Sequence, residues 1–171
     1  KGRAPIGFNV LNNPGAAART GTVTIAGQKL TINQVGAPTA VSSAGYGLGS
    51  SPEGMTSLFG ANLAKSTQIA TSQPLPTNLA GTTLTITRLG GGQPQLAPLF
   101  FVSPNQINFV VPAANDGTPL PPGGLGAFLS VYVDGQLTAD GYILLSPVFP
   151  ALFSADASGK GLAAAMALRV K

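Results

Sequence analysis

Histidine, cysteine and tryptophan are absent from the 171 residues, and only 8 % of the side chains are charged. Without histidine a serine has no imidazole to act as its general base, and without histidine or cysteine the nitrogen and sulfur ligands typical of zinc sites are missing. The lack of cysteine removes disulfides but does not locate the protein, because a chain this long can bury a sufficient core without them. No apolar run reaches the roughly 18 to 20 residues that a helical membrane span needs. Lys1-Gly2-Arg3-Ala4-Pro5 has no apolar signal region behind it. Neither a cofactor nor a metal nor a membrane span is expected.

What is present is an apolar, turn-rich chain, with 23 Gly, 15 Pro and 44 % hydrophobic residues. That composition describes short strands joined by tight turns, an all-β fold. Nine Lys and Arg against five Asp and Glu give a formal charge of +4. Lys1, Arg3, Arg19, Lys29, Lys65, Arg88, Lys160, Arg169 and Lys171 are scattered singly. They make no stripe that could follow a phosphate backbone, so nucleic acid is not an expected partner.

Residues 20–35 alternate apolar or β-branched residues with polar ones on both sides of Ala26-Gly27-Gln28, which predicts a hairpin with one wet and one buried face. Ile6, Phe8 and Val10 alternate likewise before Asn13-Pro14-Gly15, predicting a third strand at 5–11. Residues 36–54 read as a Gly/Ser/Pro connector, with Gly45-Tyr46-Gly47-Leu48-Gly49 a flexible linker and a domain boundary near residue 40. Strands then recur at Met55 to Phe59, Thr82 to Arg88, Leu99 to Val102, Gln106 to Val111, Phe128 to Val133 and Gln136 to Leu145. Asp134-Gly135 marks a two-residue hairpin between the last two. The prolines fall at strand ends and in loops, where a missing N–H costs no ladder bond. The organisation expected is a partial sheet of three strands over 1–39, a sandwich over 40–150, and a strand-like tail over 151–171.

Leu75-Pro76-Thr77-Asn78-Leu79-Ala80-Gly81-Thr82-Thr83-Leu84-Thr85-Ile86, with the block from Pro98 to Pro112 and Phe59-Gly60-Ala61-Asn62-Leu63-Ala64, resembles the repeat-type C-terminal domain of secreted Solibacter and other Acidobacteria proteins. The resemblance covers about residues 42–165 and implies a TIG/IPT-like immunoglobulin fold outside the cell or at its surface, with no catalytic residues to carry over. Residues 14–35 resemble the last strands of a BACON-type domain whose earlier strands are absent here. Ala165 to Val170 resembles the opening of a further β unit. The fold expected is therefore an immunoglobulin-like β-sandwich with additional terminal strands.

Unfinished sheets expose an apolar face and an unpaired edge. The terminal strands can fold back on the sandwich, or pair with another copy as in strand donation along a fibre. A third reading is that the chain is a portion of a longer protein. The residues expected at an assembly interface are Ile6, Phe8 and Val10 at one end and Leu162, Met166, Leu168 and Val170 at the other.

The acids Glu53, Asp116, Asp134, Asp140 and Asp156 sit mostly in turn contexts, three of them before glycine, so turn chemistry accounts for them without a catalytic pair. Ser66 beside Lys65 is poorly placed for a serine–lysine dyad, because neighbours on a strand face opposite ways. Lys29 and Lys65 are the candidates for a lysine–asparagine crosslink. Phe8, Phe59, Phe100, Phe101, Phe109, Phe128, Phe149 and Phe153 are expected mostly in the core, leaving Tyr46, Tyr132 and Tyr142 as a thin platform for sugar. The function expected is a non-enzymatic, extracellular structural subunit that assembles with copies of itself. The alternative is an accessory domain that binds glycan or cell wall.

Overall fold

The structure, a computed structural model, describes residues 5–90, 92–114 and 117–169. Period-two alternation and turn dipeptides that accept a left-handed backbone turn much of this chain into strands. Among the described residues these are β1 (Arg19–Ile25), β2 (Gln28–Gln34), β3 (Thr39–Ser42), β4 (Met55–Phe59), β5 (Gln68–Ile69), β6 (Thr82–Arg88), β7 (Gln95–Leu96), β8 (Leu99–Ser103), β9 (Gln106–Val110), β10 (Leu125–Val133) and β11 (Gln136–Leu145). No helix long and apolar enough to cross a membrane occurs among the described residues.

Tight turns set the registers. Ala26-Gly27 and Asp134-Gly135 have φ values of 47° and 80°, and 49° and 77°. Two consecutive positive φ angles define the hairpin turn whose twist matches that of the strands it joins, and glycine at the second position carries no Cβ penalty. They close the pairs Ile25↔Gln28 and Val133↔Gln136.

Nine strands follow one hydrogen-bonded order, β5-β8-β9-β4-β3-β11-β10-β6-β7, curled into an all-β sandwich. β3 is the seam: it runs antiparallel to β4 and parallel to β11. On one side of it the order β3-β4-β9-β8 corresponds to strands A-B-E-D of an immunoglobulin sandwich, and on the other β11-β10-β6-β7 corresponds to G-F-C-C′. Leu58, Leu99, Val102, Ile107 and Phe109 from the first half meet Leu84, Ile86, Leu129, Val131, Ile143 and Leu145 from the second in a single cluster. The buried Thr56 hydroxyl donates to Ser50 Oγ at 2.7 Å, so the polar side chain inside the sandwich is paired.

Several elements differ from the sequence reading. Residues 5–11 form no strand. The carbonyl of Leu11 accepts from Arg19 Nη2 and Gln34 Nε2, each at 2.9 Å, and that of Asn12 accepts from Arg19 Nη2 at 3.0 Å. Side chains thus hold this segment where a ladder was expected, and the N-terminal sheet has two strands, not three. Neither face of that hairpin is buried: its residues are exposed or half-buried throughout.

The presumed connector is part of the sandwich. β3 lies within it, and Ala40, Val41, Ser42, Ala44 and Ser50 are buried. The backbone bonds Ser42 N to Gly47 O and Tyr46 N to Ser42 O, both 2.9 Å, close the stretch expected to be a flexible linker. Small residues here permit close packing, with Gly49 (φ 132°) against the Phe149 ring.

Nor do the described residues of the tail, 151–169, make a strand. A single bridge, Ser154↔Ala163, closes a loop through the positive-φ residues Ala157, Gly159 and Gly161. The phenylalanines depart too. Phe109 alone is fully buried, and Phe8, Phe59, Phe128 and Phe153 are exposed, so aliphatic residues make the core.

Candidate functional site

Two regions of the surface combine exposed apolar side chains with a defined setting. The first comprises the segments flanking the sandwich. Ile6, Phe8 and Val10 are all exposed, and residues 5–12 make no backbone–backbone hydrogen bond among the described residues. Beside them stands the β1–β2 hairpin, which pairs with no third strand among the described residues. At the other end Leu162, Met166 and Leu168 are more than four-fifths exposed. The backbone of Leu162 is engaged, its carbonyl accepting from Ala155 N at 2.9 Å, so it belongs to the loop closure. Val170 lies outside the described residues.

The second region is a groove of about 920 Å³ between the foot of the hairpin and the outer face of β10 and β11. Gly36 anchors that foot. It bridges Ala139 in parallel, its carbonyl accepts from Asp140 N at 3.0 Å, and Ala37 N donates to Gly15 O at 2.8 Å. Gly141 lets the chain pass close to β11, since a Cβ there would stand 3.0 Å from the Pro38 carbonyl oxygen.

The floor of the groove follows from strand parity. Ala127, Leu129, Val131 and Ile143 point into the core, so Phe128, Ser130, Asp140, Tyr142 and Leu144 point out. Phe128 and Tyr142 face each other in register, edge to face, with centroids 6.4 Å apart and planes at 76°. They are 49 % and 53 % exposed. Next along the pair, Ser130 Oγ donates to Asp140 Oδ1 at 2.8 Å, which orients the carboxylate.

The opposite wall carries amides. Asn13 and Gln34 are committed to structure: Asn13 Nδ2 donates to the carbonyls of Ala17 and Val35, and Gln34 is held by Arg19 and Leu11. Asn33 accepts from Thr20 Oγ1 at 3.0 Å, and its Nδ2, like the side chain of Asn12, has no hydrogen bond among the described residues. Among the described residues the lining contains no Lys or Arg and one acid.

The remaining polar candidates do not converge. No three acidic side chains come together among the described residues, and Asp116 lies outside them. Asp140 was read as a turn residue but belongs to the middle of β11, whereas Asp134 does occupy a turn. Lys65 forms an exposed ion pair with Asp134, and Lys29 is exposed on β2, so neither is a buried lysine of the kind a crosslink needs. Tyr46 donates to Ala157 O at 3.3 Å and secures the tail loop. Of the sequence candidates for a sugar platform, Tyr142 lines the groove. Phe128, Asn12, Asn33 and Asp140 were missed. Parity alone could have found Phe128, because it is two residues before Ser130 on a strand whose odd-numbered neighbours are aliphatic.

No protein-family model, no curated protein and no solved structure matches the chain. The fold and these surfaces define a β-sandwich protein with exposed apolar side chains at its flanking segments and an aromatic, amide-lined groove that carries one carboxylate.

Proposed function

We propose that the chain is a non-enzymatic, extracellular structural module that joins neighbouring copies into a fibre or array by strand complementation. One observation carries this reading: an alternating segment, Ile6, Phe8 and Val10, stands exposed without a backbone partner beside a hairpin that has no third strand among the described residues. A lone two-stranded hairpin is marginally stable in water. A third strand supplies the missing ladder bonds and covers one face, and residues 5–10 of a second copy have the period to do so. A head-to-tail contact of this kind propagates into a filament unless its rotation closes a ring. Met166 and Leu168 supply a second apolar segment for the same purpose. On this reading the block from Pro98 to Pro112 belongs to the secreted repeat-domain class that it resembles.

Sedimentation of the full chain over a hundredfold concentration range, with electron microscopy of the same samples, tests the proposal. The expected outcome is a concentration-dependent series of oligomers or filaments that F8D together with V10D reduces to monomers. A monomer of unchanged size at every concentration overturns it, as does an oligomer indifferent to those substitutions and to M166D with L168D.

A further inference from the structure

The groove on β10 and β11 takes one wall from Asn12 and the hairpin but none of the apolar side chains proposed for assembly, and its chemistry points to a ligand of a particular kind. Phe128 and Tyr142 present half-exposed rings on its floor, Asp140 offers a carboxylate oriented by Ser130, and the side chains of Asn12 and Asn33 hold unspent hydrogen-bonding groups on the facing wall. Each class of ligand meets a different reception there. Polyanions meet no cation among the described residues of the lining, which carries a negative charge at Asp140. A peptide seeking to add a strand finds the edge of β11 already occupied, through Gly36↔Ala139, Thr39↔Tyr142 and Ser50↔Leu145. A purely apolar ligand would bury the remaining hydrogen-bonding capacity of the amides and the charge of the carboxylate without satisfying either. A neutral sugar satisfies all of them: its C–H face stacks on an aromatic ring, and its hydroxyls both donate to a carboxylate and accept from amides.

We infer that this groove binds a neutral polysaccharide. Its volume of about 920 Å³ lies near the upper end of the about 300–1,000 Å³ that ligand sites occupy, room for more than one pyranose unit. Tyr142 is held in place before any ligand arrives, since its ring lies across Gly126 and meets the edge of Phe128. A rigid aromatic floor loses little freedom on binding. Asp140 discriminates as well as binds: it repels uronic acids and sulfated sugars and accepts from neutral hydroxyls.

Native affinity electrophoresis of the full chain tests this, in gels containing hydroxyethylcellulose, glucomannan, xylan or galactan, with alginate as the acidic counter-probe. Retardation is expected in at least one neutral gel, and in alginate none that survives added salt, since the net charge of +4 alone draws the chain to a polyanion. F128A and Y142A should each weaken it tenfold or more, D140N by a smaller factor, and F153A, outside the groove, not at all. Because Y142A uncovers Gly126, F128A is the decisive variant, and its thermal melt should match that of the parent. Migration unaltered in all four neutral gels, retardation in alginate alone, or retardation that F128A leaves unchanged overturns the inference. Run on the F8D/V10D variant, whose substitutions lie outside the groove, the same gels read binding apart from self-assembly, which the sedimentation experiment reads separately.

Discussion

Tyr142 lies across Gly126 of the neighbouring strand, so that a Cβ added to the glycine would collide with the hydroxyl end of its ring. The aromatic side chain covers backbone that would otherwise be bare, a device known to support glycine in sheets. Gly126→Val must therefore expel the ring. We expect a loss of about 1–3 kcal/mol in urea titrations, the usual range for overpacking. Tyrosine emission should change too, and it is readable because tryptophan is absent. An unchanged emission spectrum would show that the ring does not rest there.

Two phenylalanines should respond oppositely to truncation. Phe109 is fully enclosed between the halves of the sandwich, whereas Phe128 is half-exposed on the outer face. Phe109→Ala is expected to cost about 3–5 kcal/mol in chemical denaturation, and Phe128→Ala about 0.5 kcal/mol or less. Equal effects would contradict the parity assigned to β9 and β10.

The corner at Asp134 separates backbone strain from charge. Asp134 and Gly135 both have positive φ, and Asp134 pairs with Lys65 on the surface. Gly135→Ala places a Cβ in the left-handed region and is expected to cost about 1–2 kcal/mol. Lys65→Met should cost at most about 1 kcal/mol, and less as salt rises. The experiment is a pair of melts at low and high ionic strength, in which only the second variant's effect should shrink.

Asp156 has its pKa lowered from 3.8 to about 2, first by the Ser158 hydroxyl, then by the Ser158 backbone N–H and the Ser154 hydroxyl. Its ionised form is thus favoured in the folded loop. The contribution to stability is present above the ordinary carboxylate range and lost as pH falls through about 2. Carboxyl chemical shifts should titrate with that midpoint, and Ser158→Ala should raise it toward the ordinary value. A midpoint that stays put in Ser158→Ala would refute the stated cause.

Much of the sandwich was legible because alternation and turn chemistry act locally. β6 and β11 fall at the expected residues, and the Asp134-Gly135 turn lies where its dipeptide places it. β3 was not legible. Thr39-Ala40-Val41-Ser42 is too short and too small-residue-rich to alternate visibly, and it is a strand only because β4 and β11 flank it. β5 and β7 have two residues each and exist only as edges of longer neighbours. At residues 5–11 the period was right, but a period without a partner makes no ladder. The groove was hidden for a related reason. Phe128 and Tyr142 could be placed outward by counting along their strands, but Asn12 and Asn33 reach the same space through the anchor at Gly36, a contact across more than a hundred residues of sequence.

Because β3 runs parallel to β11, tension that enters the sandwich before Thr39 and leaves after Leu145 pulls the two strands lengthwise past each other. The bonds Asp140 N to Gly36 O, Ser50 N to Leu144 O and Ser146 N to Ser50 O lie along that junction. Loaded in shear they resist together, whereas an antiparallel hairpin pulled from its open end unzips bond by bond. Pulled between those two ends, a sandwich closed this way is expected to rupture at a higher force than a hairpin of the same number of bonds.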